Sequence, residues 1–280
     1  MGRITGKDGG INGIGCVRVW DVDSSRIGGR FSGSCAAGVI DRILGSKDWV
    51  GRYGAYGHTP TVMPGEAFAF IGSIDGSVGV YGTAIVESVR ITSQIPQEEN
   101  QEPKPVSHVV TFKANGALTK GAAVAADATI ANPPNPGDLK FQYATPAVSP
   151  SWTTLSEVYS AEILLSCRNP TYKPGSSVYQ TYRLKGNLDA QVEIQCQADD
   201  FSDLPAEGTI QGIKVFVTDT LFWRIDWMLV EHLNAMRVPV EAGEIVSATP
   251  QLAFKPNTLV GAVATKGQII NPSGSVWWPF

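Results

Sequence analysis

The sequence is poor in the residues that build metal, redox and covalent catalytic sites. It has only 4 cysteines and 3 histidines among its 280 residues. The cysteines form no CxxC pair and have no zinc-ligand spacing, which favours buried free thiols. The histidines lie far apart, which argues against a shared metal site. These residues are Cys16, Cys35, Cys167 and Cys196, and His58, His108 and His232.

Motifs of known catalytic chemistry are also absent from the sequence. It contains no GxSxG, no HExxH and no catalytic Cys-His signature. The glycines at 10–15 and 51–57 lack the strand and helix context of a phosphate-binding loop, and the acidic residues at 199–207 lack EF-hand spacing. A glycan hydrolase on a β-sandwich would need a cleft with paired carboxylates, which no stretch indicates. We therefore expect no enzymatic activity, no cofactor and no metal.

Basic residues and long apolar runs are scarce too. Lys and Arg number 22 against 26 Asp and Glu, for a net charge of −4, whereas a nucleic-acid-binding face needs excess positive charge. No run approaches the roughly 18 apolar residues of a membrane span, and the first residues lack the apolar region of a secretory signal. We expect neither sequence-specific nucleic-acid binding nor membrane contact. A mildly acidic surface does suit a wall that DNA slides past without sticking.

Turn-forming residues, by contrast, are plentiful. The 30 glycines and 18 prolines favour many short strands over long helices. The length suits two cores of about 100–150 residues each, and the prolines between 132 and 150 indicate a stiff polar linker. We therefore predict a first module at 1–131 and a second module at 151–280, joined by a linker at 132–150.

The most informative pattern is a pair of β-rich stretches, residues 83–118 and 227–259. The first has two alternating runs around an acidic insert, which predict two antiparallel strands closed by Asn115-Gly116. The alternating residues are Ile85, Glu87, Val89 and Ile91, then Val106, His108, Val110 and Phe112. The second stretch repeats this order, with Val230-Glu231 matching Val86-Glu87 and Phe254 matching Phe112. Earlier landmarks keep a similar offset: Gly45 with Gly186, Asp48 with Asp189, and Pro64 with Pro205. The pattern predicts a tandem duplication.

Each module is predicted to carry one short helix followed by a strand. Residues 34–44 have a serine cap, an apolar face and a closing glycine, and residues 174–186 repeat this more weakly. The buried faces of the following strands are predicted to be Trp49, Gly51, Tyr53 and Ala55, and Ala190, Val192, Ile194 and Cys196. The predicted fold is mainly β, of the α+β type, with two tandem β-sandwich or partial-barrel modules, each with one short flanking helix.

Several motifs follow one another in the first module. After a glycine-rich start and the helix come an Asp-Trp-x-Gly-x-Tyr strand at Asp48, a Pro-Gly-Glu turn at Pro64, a Tyr-Gly-Thr-Ala strand at Tyr81 and Phe-x-x-Asn-Gly-x-Leu at Phe112. This order resembles the tail tube (major tail) proteins of long-tailed bacteriophages over roughly residues 1–125. The second module departs from the pattern, since Gln197, Ala206 and Thr258 stand where glycines would be expected.

The resemblance implies a structural virion protein, assembled in the host cytoplasm. In a tail tube, subunits join their sheets into a ring whose bore passes DNA, so that edge strands serve assembly. Three chains with two modules each would form a pseudo-hexameric ring, with other virion proteins as further partners. The same fold family implies an alternative, a capsid decoration (cement) protein that binds the outer capsid surface as a trimer.

The candidate subunit contacts are the N-terminal arm, the acidic insert and the C-terminal aromatic residues. They are Ile4; Gln97, Glu98, Glu99, Asn100 and Glu102; and Trp277, Trp278 and Phe280.

Overall fold

The fold is built from β-strands. The computed structural model describes residues 2–6, 11, 14, 16–31, 41–73, 79–95, 104–121, 139–145, 147, 149–155, 158–172, 178–179, 181–182, 186–197, 204–237, 247–254 and 268–279. Every regular element within these residues is a strand, so the mainly β class is confirmed. The strands are β1 (Gly2–Gly6), β2 (Val17–Phe31), β3 (Asp41–Tyr56), β4 (Ala67–Ser73), β5 (Gly79–Gln94), β6 (Ser107–Gly121), β7 (Phe141–Ala144), β8 (Thr153–Leu155), β9 (Val158–Cys167), β10 (Thr171–Tyr172), β11 (Thr181–Tyr182), β12 (Leu188–Gln197), β13 (Ile210–Phe216), β14 (Phe222–Arg237), β15 (Ser247–Phe254), β16 (Gln268–Ile270) and β17 (Val276–Pro279).

The two predicted helices are wrong wherever the structure describes their residues. Residues 41–44 of the first belong to β3 and pair with residues 28–31 of β2. Thr181 and Tyr182 of the second form β11, which pairs with β10. Residues 34–40 lie outside the described part of the chain. A short apolar run fits the periodicity of a helix as well as that of a strand. Here pairing with a neighbouring strand selects the strand.

Fifteen strands form one antiparallel sheet that runs through both halves of the chain. Its order is β1-β2-β3-β6-β5-β9-β12-β15-β14-β13-β7-β8, with β4 added at β5, β16 at β14 and β17 at β16. β10 and β11 form a separate two-stranded sheet. The seam between the halves is the pair β5 and β9, in which Ser88 lies opposite Ser166 and Gln94 opposite Ser160.

Strand order is the same in the two halves. The first half runs β2-β3-β6-β5-β4 and the second runs β9-β12-β15-β14-β13. β2 begins at Val17 and β9 at Val158, 141 positions later, whereas β5 and β14 begin 143 positions apart. Each strand of the first set therefore has an equivalent in the second, and the described starts of equivalent strands lie 140–147 positions apart.

Irregularities in the pairing also recur at equivalent positions. Between β2 and β3 the register slips after Val17, and between β9 and β12 it slips after Val158, 141 positions further on. Between β5 and β6 it slips after Val86, and between β14 and β15 after Val230. The residue skipped is Glu87 in one half and Glu231 in the other. Because a bulge is a specific local feature, the two halves share backbone detail as well as strand order.

The turn before β4 has its counterpart before β13. Gly65 and Gly208 both adopt positive φ, 84° and 76°, which glycine tolerates without strain. The amide of Gly65 donates to the carbonyl of Val86 in β5 at 2.9 Å, and the amide of Gly208 donates to that of Val230 in β14 at 2.8 Å. This places the equivalence at 143 positions, so that the predicted match of Pro64 to Pro205 is two residues out.

A second predicted match is also displaced. Gly51 pairs with Phe112, and Val192, its equivalent, pairs with Leu252. Leu252, and not Phe254, is therefore the counterpart of Phe112. The structure describes no side chain in β15, so only the backbone register carries this assignment.

One face of the sheet forms the core. The predicted strand faces are confirmed, because the residues concerned are buried: Trp49, Gly51, Tyr53, Ala55, Val106, His108, Val110, Phe112, Ala190, Val192, Ile194 and Cys196. The ring of Phe112 lies 5.0–6.4 Å from four others, those of Phe70, Phe68, Trp49 and Tyr53. The second half has Ala190 and Ile194 at the positions equivalent to Trp49 and Tyr53. The same strand arrangement therefore carries smaller side chains in the second core than in the first. Cys167 and Cys196 are buried and Cys16 is half-buried, with no disulfide among these three described cysteines, and Cys35 lies outside the described residues.

Two segments differ from their predicted roles. Asn115-Gly116 does not close the strand, because β6 continues to Gly121 and residues 115–117 bulge opposite Thr83. Within the predicted linker, residues 141–144 form β7, with Phe141 buried and paired to Val215 of β13. Residues 132–138 lie outside the described residues. The module boundaries at 131 and 151 stay predictions.

Candidate assembly surface

The sheet ends in strands that have a neighbour on one side only. Among the described strands these are β1, β4, β8 and β17, each of which pairs with one other strand, although Ile11 also bridges Gly72 of β4. Such a strand presents free backbone N–H and C=O groups, to which another chain can add. The edges are therefore the first candidates for contacts between copies.

The seam between the halves shows how this sheet extends. Residues 88–94 of β5 pair with residues 160–166 of β9 over seven positions. On the core face Val89, Ile91, Ile163 and Leu165 are all buried. On the open face the Arg90 side chain lies 3.3 Å from the Glu162 carboxylate. An apolar inner row and a charged outer row thus combine at one strand pair.

Side-chain hydrogen bonds also cross from one half to the other. The Asn169 side-chain amide donates to the backbone carbonyl of Val86 at 2.9 Å, and the Ser93 hydroxyl donates to that of Val217 at 3.2 Å. The Trp223 indole N–H donates to the carbonyl of His58 at 3.1 Å. Since Asn169, Ser93 and Trp223 are buried, these bonds satisfy polar groups that have no access to solvent.

The open face of the sheet carries small, polar and paired charged side chains. Val19 and Val109 are exposed on either side of Gly54, in one row across β2, β3 and β6. Arg52 lies 2.7 Å from Asp21, and Lys113 contacts Glu87. In the second half the described open face has acidic residues at Glu162, Asp189 and Glu193. It therefore offers no basic track for a phosphate backbone along β9 and β12.

Two histidines lie near the seam. The His108 Nδ1 lies 2.9 Å from the carbonyl oxygen of Gly57, to which it donates, and the His58 Nδ1 lies 2.7 Å from the Thr59 hydroxyl. Burial lowers the pKa of both imidazoles. Burial is also the main cause that raises the pKa of Asp226, while Arg224 at 2.9 Å opposes that shift. His108 is buried and His58 is half-buried. The satisfied imidazole predicted for His108 is met at only one of its two ring nitrogens, because its Nε2 is buried without a hydrogen-bond partner.

The described residues hold no group of three or more His, Cys, Asp or Glu side chains placed to bind a metal ion. Nor does this part of the chain contain a helix long and apolar enough to cross a membrane.

The sequence-predicted contact residues fall in different places. Ile4 lies at the centre of β1, opposite Val22. Trp278 lies in β17, opposite Ile269, and Trp277 beside it is half-buried and packs against the core. Gln97, Glu98, Glu99, Asn100, Glu102 and Phe280 lie outside the described residues. The structure thus does not bring β1 and β17 together in strand order, since one joins the sheet at β2 and the other at β16.

Sequence reasoning missed the seam. Arg90, Glu162 and Asn169 were not among the predicted contacts, although the seam joins the two halves. One signal was available: an offset of 141 places residues 158–167 on 17–26 and so assigns β9 the place of β2 in the second half. Sequence comparison does not reveal that β9 is equivalent to β2, because the two strands have the same residue at few positions.

No protein-family model matches this chain, and no curated protein matches it.

Proposed function

We propose that this protein is a structural virion protein, the subunit of a bacteriophage tail tube. Copies of the chain join through their sheet edges into rings, and stacked rings enclose a bore through which DNA passes. The chain acts as a building block and not as an enzyme, and it needs no cofactor. Its partners are its own copies and the virion proteins at either end of the tube.

One observation supports this proposal above the others. A single antiparallel sheet crosses the seam between two halves that have the same strand order and the same bulges. A unit that already joins its own equivalent through strand pairing has the geometry needed to join further copies. Head-to-tail contacts of this kind close into rings when the rotation permits.

The proposed ring contains three chains, since each chain supplies two equivalent units. The halves then stand for the two tandem modules of a duplicated ancestor, and the ring has six units. The charge of the open face fits a bore, because ion pairs such as Arg52 with Asp21 leave little net positive charge to hold DNA. The site of action is the virion, after assembly in the host cytoplasm.

Imaging of the purified chain tests the proposal. We expect hollow rods or rings in negative stain, and a mass that corresponds to multiples of three chains. Rings of six chains would contradict the doubled unit. Monomers or trimers that bind only to expanded capsids would instead favour a capsid decoration protein and overturn the tube.

A further inference from the structure

The seam inside one chain provides a template for the joint between two chains. The seam pairs residues 88–94 of β5 with residues 160–166 of β9. The equivalent of the first segment in the second half is residues 232–238, and the equivalent of the second segment in the first half is residues 19–25. A joint of the same kind between copies therefore places the end of β14 from one chain against β2 of the next.

The two strand edges that this joint needs differ in whether a neighbouring strand already covers them. Residues 232–237 of β14 pair with β15 on one side, and no described strand lies on their other side. The matching segment of β5 has β9 at that place. On β2, by contrast, residues 20–24 already pair with β1. The N-terminal arm, defined here as β1 (Gly2–Gly6), thus occupies the edge that a neighbouring copy would require.

The arm reproduces the sequence and register of the strand that it replaces. The arm reads Gly-Arg-Ile-Thr-Gly, and residues 89–93 of β5 read Val-Arg-Ile-Thr-Ser. Ile4 lies opposite Val22, just as Ile91 lies opposite Ile163, the equivalent of Val22. The Thr of each segment lies opposite an acidic residue, Asp21 in one case and Glu162 in the other. The register is the same throughout, so the arm imitates the seam-forming part of β5.

We infer that the N-terminal arm is an internal plug on the assembly edge of β2, displaced when β14 of a second copy adds there. This inference rests on the proposed function and names the edges that perform it. While the arm lies on β2, that edge is closed to β14 of another copy, although the outer edge of the arm itself stays open. Exchange of one strand for another at the same edge replaces backbone hydrogen bonds with equivalent ones, so the barrier to assembly is set by release of five residues.

Paired cysteines test the joint between copies. The seam pairs Arg90 with Leu164, which translates to Asn234 of one copy opposite Asp23 of the next. Directly opposed residues in antiparallel strands lie within the range that a disulfide can bridge. In the assembled protein, Asn234→Cys with Asp23→Cys is expected to give disulfide-linked oligomers. Arg90→Cys with Leu164→Cys is the matched control, which links within one chain and shows that the position is competent.

A second pair of cysteines tests the plug. Arg3 lies opposite Asp23, so Arg3→Cys with Asp23→Cys locks the arm on β2. We expect the oxidised variant to stay unassembled and to form rods once reductant is added. The matched control is Arg52→Cys with Thr111→Cys, which links β3 to β6 at another opposed pair and is expected to leave assembly unchanged. Single-cysteine variants measure the background from the native thiols.

The outcomes separate the inference from the function. Two outcomes would overturn the inference and leave the tube proposal standing. One is that the Asp23→Cys, Asn234→Cys variant forms rods without a disulfide between residues 23 and 234 of neighbouring chains. The other is that the oxidised Arg3→Cys, Asp23→Cys variant assembles normally. Loss of assembly on deletion of residues 1–6 would also overturn it, because the arm would then be a part of the joint and not a plug. If no variant assembles, although the Arg90→Cys, Leu164→Cys control forms its disulfide within the chain, both the inference and the tube proposal would be overturned.

Discussion

A small-to-large change at Gly51 tests whether the two halves share one backbone arrangement that is packed with side chains of different sizes. A Cβ at Gly51 would lie 2.5–2.6 Å from ring atoms of Phe112 and 2.8 Å from the backbone oxygen of Asp21. Overpacking of this kind costs about 1–3 kcal/mol. Replacing glycine at an ordinary φ returns about 0.4–1 kcal/mol by restricting the unfolded chain. Gly51→Ala is therefore expected to reduce the free energy of unfolding by about 1–2 kcal/mol.

The second half indicates how the cost is relieved. It has Val192 at the place of Gly51 and Leu252 at the place of Phe112, so a larger strand residue goes with a smaller partner. In a Phe112→Leu background the cost of Gly51→Ala should fall by about 1 kcal/mol or more, which is a coupling of the size seen between contacting residues. The relief is partial, because the backbone oxygen of Asp21 stays in place.

Urea denaturation of the four members of this cycle measures the coupling. Gly54→Ala is the matched control on the same strand, since its Cβ would meet Val19, the backbone oxygen of His108 and Val109 at ordinary contact distances of 3.5–3.9 Å. That variant should be as stable as the parent or slightly more so. Equal stability of the Gly51 and Gly54 variants, or a Gly51 cost that Phe112→Leu leaves unchanged, would refute the packing argument.

Three further predictions concern the seam and its surroundings. Asn169→Ala removes a buried hydrogen bond between the halves and should cost about 1–3 kcal/mol in urea denaturation, whereas Asn187→Ala, at an exposed position, should cost almost nothing. Burial lowers the pKa of His108, so its contribution to stability is lost as pH falls below about 6.5; in thermal melts from pH 7.5 to 5.5, His108→Gln should lose less stability than the parent, and parallel curves would contradict this. Arg90→Ala should reduce the free energy of unfolding by at most about 1 kcal/mol, because the Arg90 side chain is 54% exposed. A larger reduction in urea denaturation would show that the ion pair, and not apolar packing, stabilises the seam.

Local patterns in the sequence predicted the strands well where alternation was clear. The run ending at Phe112 alternates because one face packs in the core, and that face is buried as expected. In the run ending at Ile91 the alternation is interrupted, because Ile85, Val89 and Ile91 are buried but a bulge leaves Glu87 half-buried beside Lys113. The predicted helix at 34–44 failed where it is described, because its last residues pair with β2. Pairing between distant segments is a tertiary event that a short window does not contain.

The candidate site was less accessible to sequence reasoning than the fold. A seam needs knowledge of which strand lies beside which, and β5 meets β9 across some 70 residues of chain that include the proline-rich stretch. That stretch also concealed β7, since prolines around Phe141 suggested a linker. The arm was predicted as a contact, but its imitation of β5 emerges only from the register of both pairs.

A count of chains per ring decides whether the proposed ring is built from doubled units. Native mass measurement of rings released from rods, combined with end-on images, gives the number of chains and the apparent symmetry together. We expect three chains in each ring, and end-on images with sixfold appearance at low resolution. Six chains per ring, or a particle that stays a single chain at every concentration, would contradict it.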